Sequence, residues 1–425
     1  MRPSAMAQGT FVLVCLWVLL SAAAMLTGCG AGSSAQSGSP DQGNKSSQTS
    51  LLFVADTGNH RVLVYNAPFT TGQIATAVLG QPESTSNGKP SSSTATTMGS
   101  GYNYEGPPYL GTVFLSAPTS LATDSAGNLY VADPGACRVL QFKPPFTTGM
   151  AASLAIGPAS GVTNLTTNAC WSGSAGEPYG VAVDSADNLW ISDSLGSRVL
   201  KFSAPITAGE SPTVALGQPS TSANLGCNHT WAENTVSAAT LCWPAHLAFD
   251  PAGNLWVADN QNNRVLMYAK ADLAISGAAA SVELGQPAAT AFSSNTHGVD
   301  ASSLYYPAGI AFDPAGNLFV ADSGNSRVLM YAKADLVTNG AAASLQVGDM
   351  YPWWQHNPIG LSFDSSGRLF ISDTLVSRTL VFTPPFVTGM SATVVFGQPD
   401  FWSIAPNNGG VGAVSQNLPF AVATY

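Results

Sequence analysis

Six aspartates stand five residues ahead of six arginines: Asp56 and Arg61, Asp133 and Arg138, Asp193 and Arg198, Asp259 and Arg264, Asp322 and Arg327, Asp373 and Arg378. A carboxylate across a turn from a guanidinium makes a charge-assisted hydrogen bond. Carboxylates also do acid–base chemistry, but six identical copies are not six active sites, so these pairs read as structural. A second series, Asp124, Asp184, Asp250, Asp313 and Asp364, opens turns, where Asp bonds backbone N–H groups. The histidines, His60, His229, His246, His297 and His356, are scattered. Isolated histidines are usually surface or packing residues rather than metal ligands. His246, in Pro244-Ala245-His246-Leu247, differs in standing in an apolar strand, and is a candidate ligand contact. No Gly-x-Ser-x-Gly, His-Glu-x-x-His or phosphate loop is present, and nothing calls for a cofactor.

The elements that position these residues repeat. An apolar strand ends in Asp, a Gly-Asn turn follows, a second strand ends in Ala/Ser-Asp, and Arg-Val-Leu opens a third. Phe312 to Asp322 with Arg327-Val328-Leu329 is one copy. Others run from Thr123 to Leu140, Val183 to Leu200, Phe249 to Leu266 and Phe363 to Leu380, and a sixth, from Leu51, lacks its first strand. A fixed period of this kind defines the architecture. The strands are near-continuous apolar runs, as in sheets covered on both faces. Radially stacked antiparallel sheets have that property. The first strand favours small residues, such as Gly180, Gly309 and Gly360, as expected where blades converge on an axis. Pro419 to Thr424 matches Pro178 to Val183, so the chain ends on a lone first strand. Pairing it with the strand at Leu51 completes a blade and leaves no open edge.

The turn Asp-x-x-Gly-Asn, the Val-Ala-Asp, and Asn59-His60-Arg61-Val62 or Asn262-Asn263-Arg264-Val265 resemble NHL repeats. The resemblance spans Leu51 to Tyr425. It implies an all-β, six-bladed β-propeller of NHL repeats, its ring closed by pairing the C-terminal strand with the N-terminal blade. Propellers host binders, scaffolds and enzymes alike, so it implies no activity. Gly135-Ala136-Cys137-Arg138, Gly196-Ser197-Arg198 and Val376-Ser377-Arg378 lack the Asn two before Arg, and a different turn geometry is expected there.

In this topology the turn after the second strand and the connection between blades share one face, the top. The long insertions are all such connections: Gln81 to Ser116, Pro158 to Glu177, Gln218 to Trp243, Gln286 to Tyr306, Asp349 to Asn357 and Gln398 to Asn417. Unlike loops gathered on one side of a scaffold are where binding resides. Trp171, Trp231, Tyr305, Tyr306, Trp353, Trp354 and Trp402 fall there and are candidate contacts to a protein or glycan. Topology also favours disulfides Cys137–Cys170 and Cys227–Cys242, since the rival pairings link different blades.

The N-terminus carries an address. Phe11 to Met25 is an apolar run ending in Leu26-Thr27-Gly28-Cys29. That reads as a secretory signal and resembles the bacterial lipobox, which implies acylation of Cys29. Gly30 after the Cys favours the outer over the inner membrane where a cell has both. The expected organisation is a signal at 1–28, a Ser/Gly-rich tether at 29–50 and the propeller at 51–425. With 14 Lys and Arg against 24 Asp and Glu, six of the arginines in repeats, no basic stripe exists for nucleic acid. The composite expectation is a lipid-anchored envelope propeller binding a protein or glycan through its top loops. The alternatives are a propeller enzyme of lyase or lactone-hydrolase type with an axial site, and a structural envelope scaffold.

Overall fold

A computed structural model describes residues 50–81, 118–157, 177–229, 236–287, 299–347 and 356–425. These form six four-stranded antiparallel sheets. Blade 1 takes three strands from the start of the described chain, Leu51–Asp56, Arg61–Asn66 and Ala77–Leu79, and its innermost strand, Pro419–Thr424, from the end. The register runs from Leu52 opposite Thr424 to Ala55 opposite Ala421, which closes the ring. Blades 2 to 6 are each built from one repeat. Their innermost strands are Ser120–Thr123, Pro178–Val183, Pro244–Phe249, Pro307–Phe312 and Pro358–Phe363. Each innermost strand contacts the next around the circle, and Pro419–Thr424 touches both blade 6 and blade 2.

Six apolar clusters fill the six blade interfaces. The one between blades 1 and 2 joins Phe53, Val64 and Ala421 to Leu121, Val131 and Phe142. The one between blades 6 and 1 joins Phe370 and Val381 to Leu52, Tyr65 and Val422. Alternate residues of one strand thus enter different cores, which explains apolar runs without alternation. Space at the centre is as tight as the small residues indicate. A Cβ on Gly180 would collide with the carbonyl of Ala245 in the next blade, and one on Gly309 with that of Ile359.

All six Asp–Arg pairs form, with Nε to Oδ2 distances from 2.6 to 3.0 Å, and are nearly or fully buried. The expectation of a different turn fails in blades 2 and 6, which share the 3-10 turn of blades 1, 4 and 5, and holds in blade 3, where residues 194–197 form a plain turn. The residue before Arg is left-handed in every blade: His60, Cys137, Ser197, Asn263, Ser326 and Ser377 all have φ between 48° and 58°. The missing Asn costs only a side-chain bond. Asn59, Asn262 and Asn325 donate to the Asp carboxylate, whereas in blade 3 the Gly196 backbone N–H takes that part. The Asp-x-x-Gly-Asn turns behave as expected. Asp250 accepts from the Ala252 and Asn254 backbone N–H groups and the Asn254 amide, at 2.8 to 2.9 Å.

Candidate functional site

The top face is assembled by the Asp–Arg pairs. The second Asp oxygen accepts the backbone N–H of the residue that leads into the innermost strand of its own blade: Asn417 on Asp56, Glu177 on Asp193, Cys242 on Asp259, Tyr305 on Asp322 and Asn357 on Asp373. The guanidinium donates onward to insertion carbonyls, as from Arg61 to Gly412 and Ser415, and from Arg327 to Val299, Asp300 and Ser303. The residue after the Asp ties neighbouring blades. Ser194, Asn260, Ser323 and Thr374 each donate to the carbonyl of the proline that opens the next blade's innermost strand, and Thr57 to that of Pro118, just ahead of the innermost strand of blade 2. Buried glutamines of the Gly-Gln-Pro segments brace the loops, and Gln398 donates to Ser377 and Ala405.

One small difference between blades shapes the channel mouth. In blades 3 and 6 the Asp-bound residue, Glu177 or Asn357, directly precedes the proline. In blades 4, 5 and 1 one extra residue intervenes: Trp243, Tyr306 and Leu418. All three are left-handed, with φ of 50°, 48° and 47°. A bulky side chain rarely adopts that conformation, and residues held in it cluster at ligand clamps. Neighbours hold two of them in place. The Tyr306 N–H donates to Asn263 Oδ1 at 3.0 Å, and the Leu418 N–H to Ser377 Oγ at 3.3 Å. The result is a broken apolar rim, with Trp243, Tyr306 and Leu418 exposed to 40, 37 and 38%. Tyr305 packs on Tyr306 with ring centroids 4.5 Å apart. The disulfide Cys227–Cys242 forms as expected and secures the residue next to Trp243.

Among the described residues Trp402 is the most exposed large apolar side chain, at 89%. Its loop is fastened at several points. Arg378 donates to the Phe401 carbonyl at 2.6 Å, and the Trp402 and Ser403 N–H groups donate to Asp400. Asn407 and Asn59 exchange amide bonds. Phe401, Ile404 and Val414 of the same connection are also exposed.

Of the sequence candidates, Tyr305, Tyr306 and Trp402 therefore lie on the top face. His246 lies deeper, on the innermost strand of blade 4, and is buried. Cys29, Cys170, Trp171, Trp231, Trp353 and Trp354 lie outside the described residues. Cys137 is disulfide-bonded. Among the described residues no group of three or more His, Cys, Asp or Glu side chains is placed to hold a metal. Trp243, Leu418, Tyr179 and Phe420 escaped sequence reasoning. Their signal is a pre-proline or post-proline position, visible only once the Asp-bound residue of each blade is known.

The repeats explain the comparison with known families. Residues 241–268 and 304–331 match the NHL repeat model. These segments are the first three strands of blades 4 and 5. No curated protein matches the chain. Among solved structures, a streptogramin B lyase superposes with a TM-score of 0.41 at 12% identity, over 67% of this chain and 70% of its own. A virginiamycin B lyase from Staphylococcus aureus gives 0.40 at 11%, over 67% and 71%. A protein of unknown function from Bacteroides caccae gives 0.45 at 8%, over 89% and 99%. At these scores none of them bears on what this chain does.

Proposed function

We propose that this propeller is an envelope-attached binding protein that engages a protein or glycan partner with its top face. The observation that carries the reading is Trp402, almost fully exposed on a loop fastened from both flanking blades. A large ring carried on a fastened backbone spares the cost of ordering the loop on binding. The rim of Trp243, Tyr306 and Leu418 extends the apolar surface toward the axis. Trp402→Ala and Tyr306→Ala should each weaken partner capture by about 2 kcal/mol, on the order of 30-fold, with an unchanged melting midpoint. Val337→Ser, at an exposed bottom-face residue, is the control. Glycan arrays and pull-downs from envelope extracts provide the readout. Equal losses in all three variants, or none in either top-face variant, would sink the reading.

Attachment is proposed to run through acylated Cys29 and the tether that follows. Among the described residues no helix is long and apolar enough to cross a membrane. Cys29→Ser should move the protein from the membrane to the soluble fraction. A variant that is still processed yet stays tightly membrane-bound rules out acylation as the sole anchor.

A further inference from the structure

Each blade ends in a short outermost strand, and an open strand edge invites pairing with another chain. Four of these edges are closed by the loop after the third strand of the following blade. Thr71 Oγ1 accepts the Val395 N–H, and the Gly72 N–H donates to the Val395 carbonyl, at 3.3 and 3.2 Å. Thr148-Gly149 closes Val78 in the same way, Ser276-Gly277 closes Ala215, and Asn339-Gly340 closes Glu283. A fifth edge, in blade 5, is bridged at Val347 by Thr388 of blade 6. Blade 2 is the exception. The matching dipeptide of blade 3 is Ala208-Gly209, and Ala208 has no side-chain oxygen to accept the Ala155 N–H. Among the described residues neither backbone group of Ala155 has a bond across that edge. Ala155 and Leu154 are partly exposed, whereas Val78, Ala215, Glu283 and Val395 are buried.

The same blade interface also lacks a plug. In three blades the residue ahead of the Asp-bound position is buried against the glycine that follows the preceding blade's outermost strand: Leu241 on Gly217, Leu304 on Gly285 and Gln416 on Gly397. A Cβ on those glycines would stand only 2.5 to 2.6 Å from these side chains. In blade 3 the sequence has Gly176 at that place. At Gly157, the matching glycine, a Cβ would meet nothing nearer than the Cys137 carbonyl, at 3.9 Å. What remains is an apolar slot of about 280 Å³, counted to its open mouth and lined by Val139, Ile156, Pro178, Ile191, Leu200 and Phe202. Ile156 belongs to the unclosed strand, so slot and edge adjoin. The closed interfaces show what chemistry fits: a polypeptide that offers an acceptor to the Ala155 N–H, a backbone N–H to its carbonyl, and a side chain the size of Leu241 or Leu304. We propose that the outermost strand of blade 2 is a docking site for an extended segment of a partner protein, which adds to Leu154–Ile156 as a fifth strand and seats an aliphatic side chain in the slot. The proposal is independent of the top-face reading, whose anchor Trp402 lies on the connection between blades 6 and 1.

The test uses the purified protein and capped seven-residue peptides in which Leu, Ile or Val alternates with Thr. Amide hydrogen exchange follows the edge directly. In the free protein the Ala155 amide should exchange at least tenfold faster than those of Val78 and Ala215, and a bound peptide should slow it tenfold or more. Twin peptides N-methylated along the backbone keep the side chains, lose the donors and should not bind. Two variants close the site by different means. Ala208→Thr restores the residue that blades 1 and 2 carry, and Ala155→Pro removes the outward N–H, a change that edge strands tolerate. Each should lose peptide affinity tenfold or more and keep the melting midpoint. An Ala155 amide as protected in the free protein as that of Val78 overturns the proposal, because the edge is then closed from within the chain. Failure of every peptide at millimolar concentration also overturns it, as does binding that is indifferent to both variants or shared by the N-methylated twins. Those failures leave the top-face reading to be judged on Trp402→Ala.

Discussion

Deleting Leu418 to Tyr425 should destabilise the entire propeller, with a loss of several kcal/mol and a melting midpoint lowered by on the order of 10 °C. The segment is the innermost strand of blade 1 and serves two cores. Ala421 and Ala423 pack with blade 2, and Val422 packs with Phe370 and Val381 of blade 6. Each buried methylene is worth about 0.8 kcal/mol, and the truncation also bares the faces these residues cover. It strips acceptors from neighbours too. Thr374 loses the Pro419 carbonyl, and Ser372 loses that of Phe420. Strand Leu51–Asp56 becomes an unpaired edge, an invitation to association. Calorimetry with a sizing column checks both effects. A truncated protein that melts with the wild type would show that ring closure contributes nothing to stability.

The closure was legible in the sequence because Pro419 to Thr424 copies a first strand and the copy at Leu51 begins with a second. Repetition also exposed the Asp–Arg pairs and the Asp-x-x-Gly-Asn turns as structural, since both recur in register. The Cys227–Cys242 bridge followed from topology. The binding rim was not legible. Trp243, Tyr306 and Leu418 are set apart by one residue inserted after the Asp-bound position, and no local propensity marks an insertion within loops of unequal length. His246 is legible because an imidazole interrupts an apolar strand. Tyr179 beside it, and Phe420 beside Tyr179, read as ordinary strand aromatics, because their meeting depends on strands far apart in the chain. The turns of blades 2 and 6 keep the common 3-10 geometry without the Asn for a related reason. The left-handed residue before Arg is imposed by pairing on both sides, and Cys137, Ser197 and Ser377 adopt it as Asn263 does. Tertiary context outweighs a side-chain preference of this size.

The buried Asp–Arg pairs should differ in cost when broken, and the difference tests how they are held. Asp56 bonds Arg61 Nε at 2.6 Å and Asn59 Nδ2 at 2.9 Å, and it accepts the Asn417 N–H at 2.6 Å. Both members of the pair are fully buried. Asp56→Ala removes the carboxylate facing Arg61 and releases Asn417, the residue leading into the closing strand. A cost of about 3–5 kcal/mol is expected, the range for removing one partner of a buried pair. Blade 4 has a reserve. Arg264 meets Asp259 at 2.7 Å and also Glu283 at 3.0 Å. Glu283 occupies the middle of the outermost strand, where the other blades carry Val78, Ala155, Ala215, Gln346 and Val395. After Asp259→Ala the Arg264 charge keeps Glu283, together with the Ser237 and Thr240 carbonyls. The expected loss is smaller than at Asp56, by about 1–2 kcal/mol, which is the scale of a hydrogen bond to a charged group. Adding Glu283→Gln to Asp259→Ala should bring the cost up to that of Asp56→Ala. Denaturant melts of the four proteins decide the matter, because the pairs are too far apart to share partners and their effects should add. Equal losses for Asp56→Ala and Asp259→Ala would show that Glu283 gives Arg264 no support. The pairs would then act mainly through the backbone N–H groups that each Asp receives from the top face. Hydrogen exchange at Asn417 and Cys242 would rise equally in the two variants.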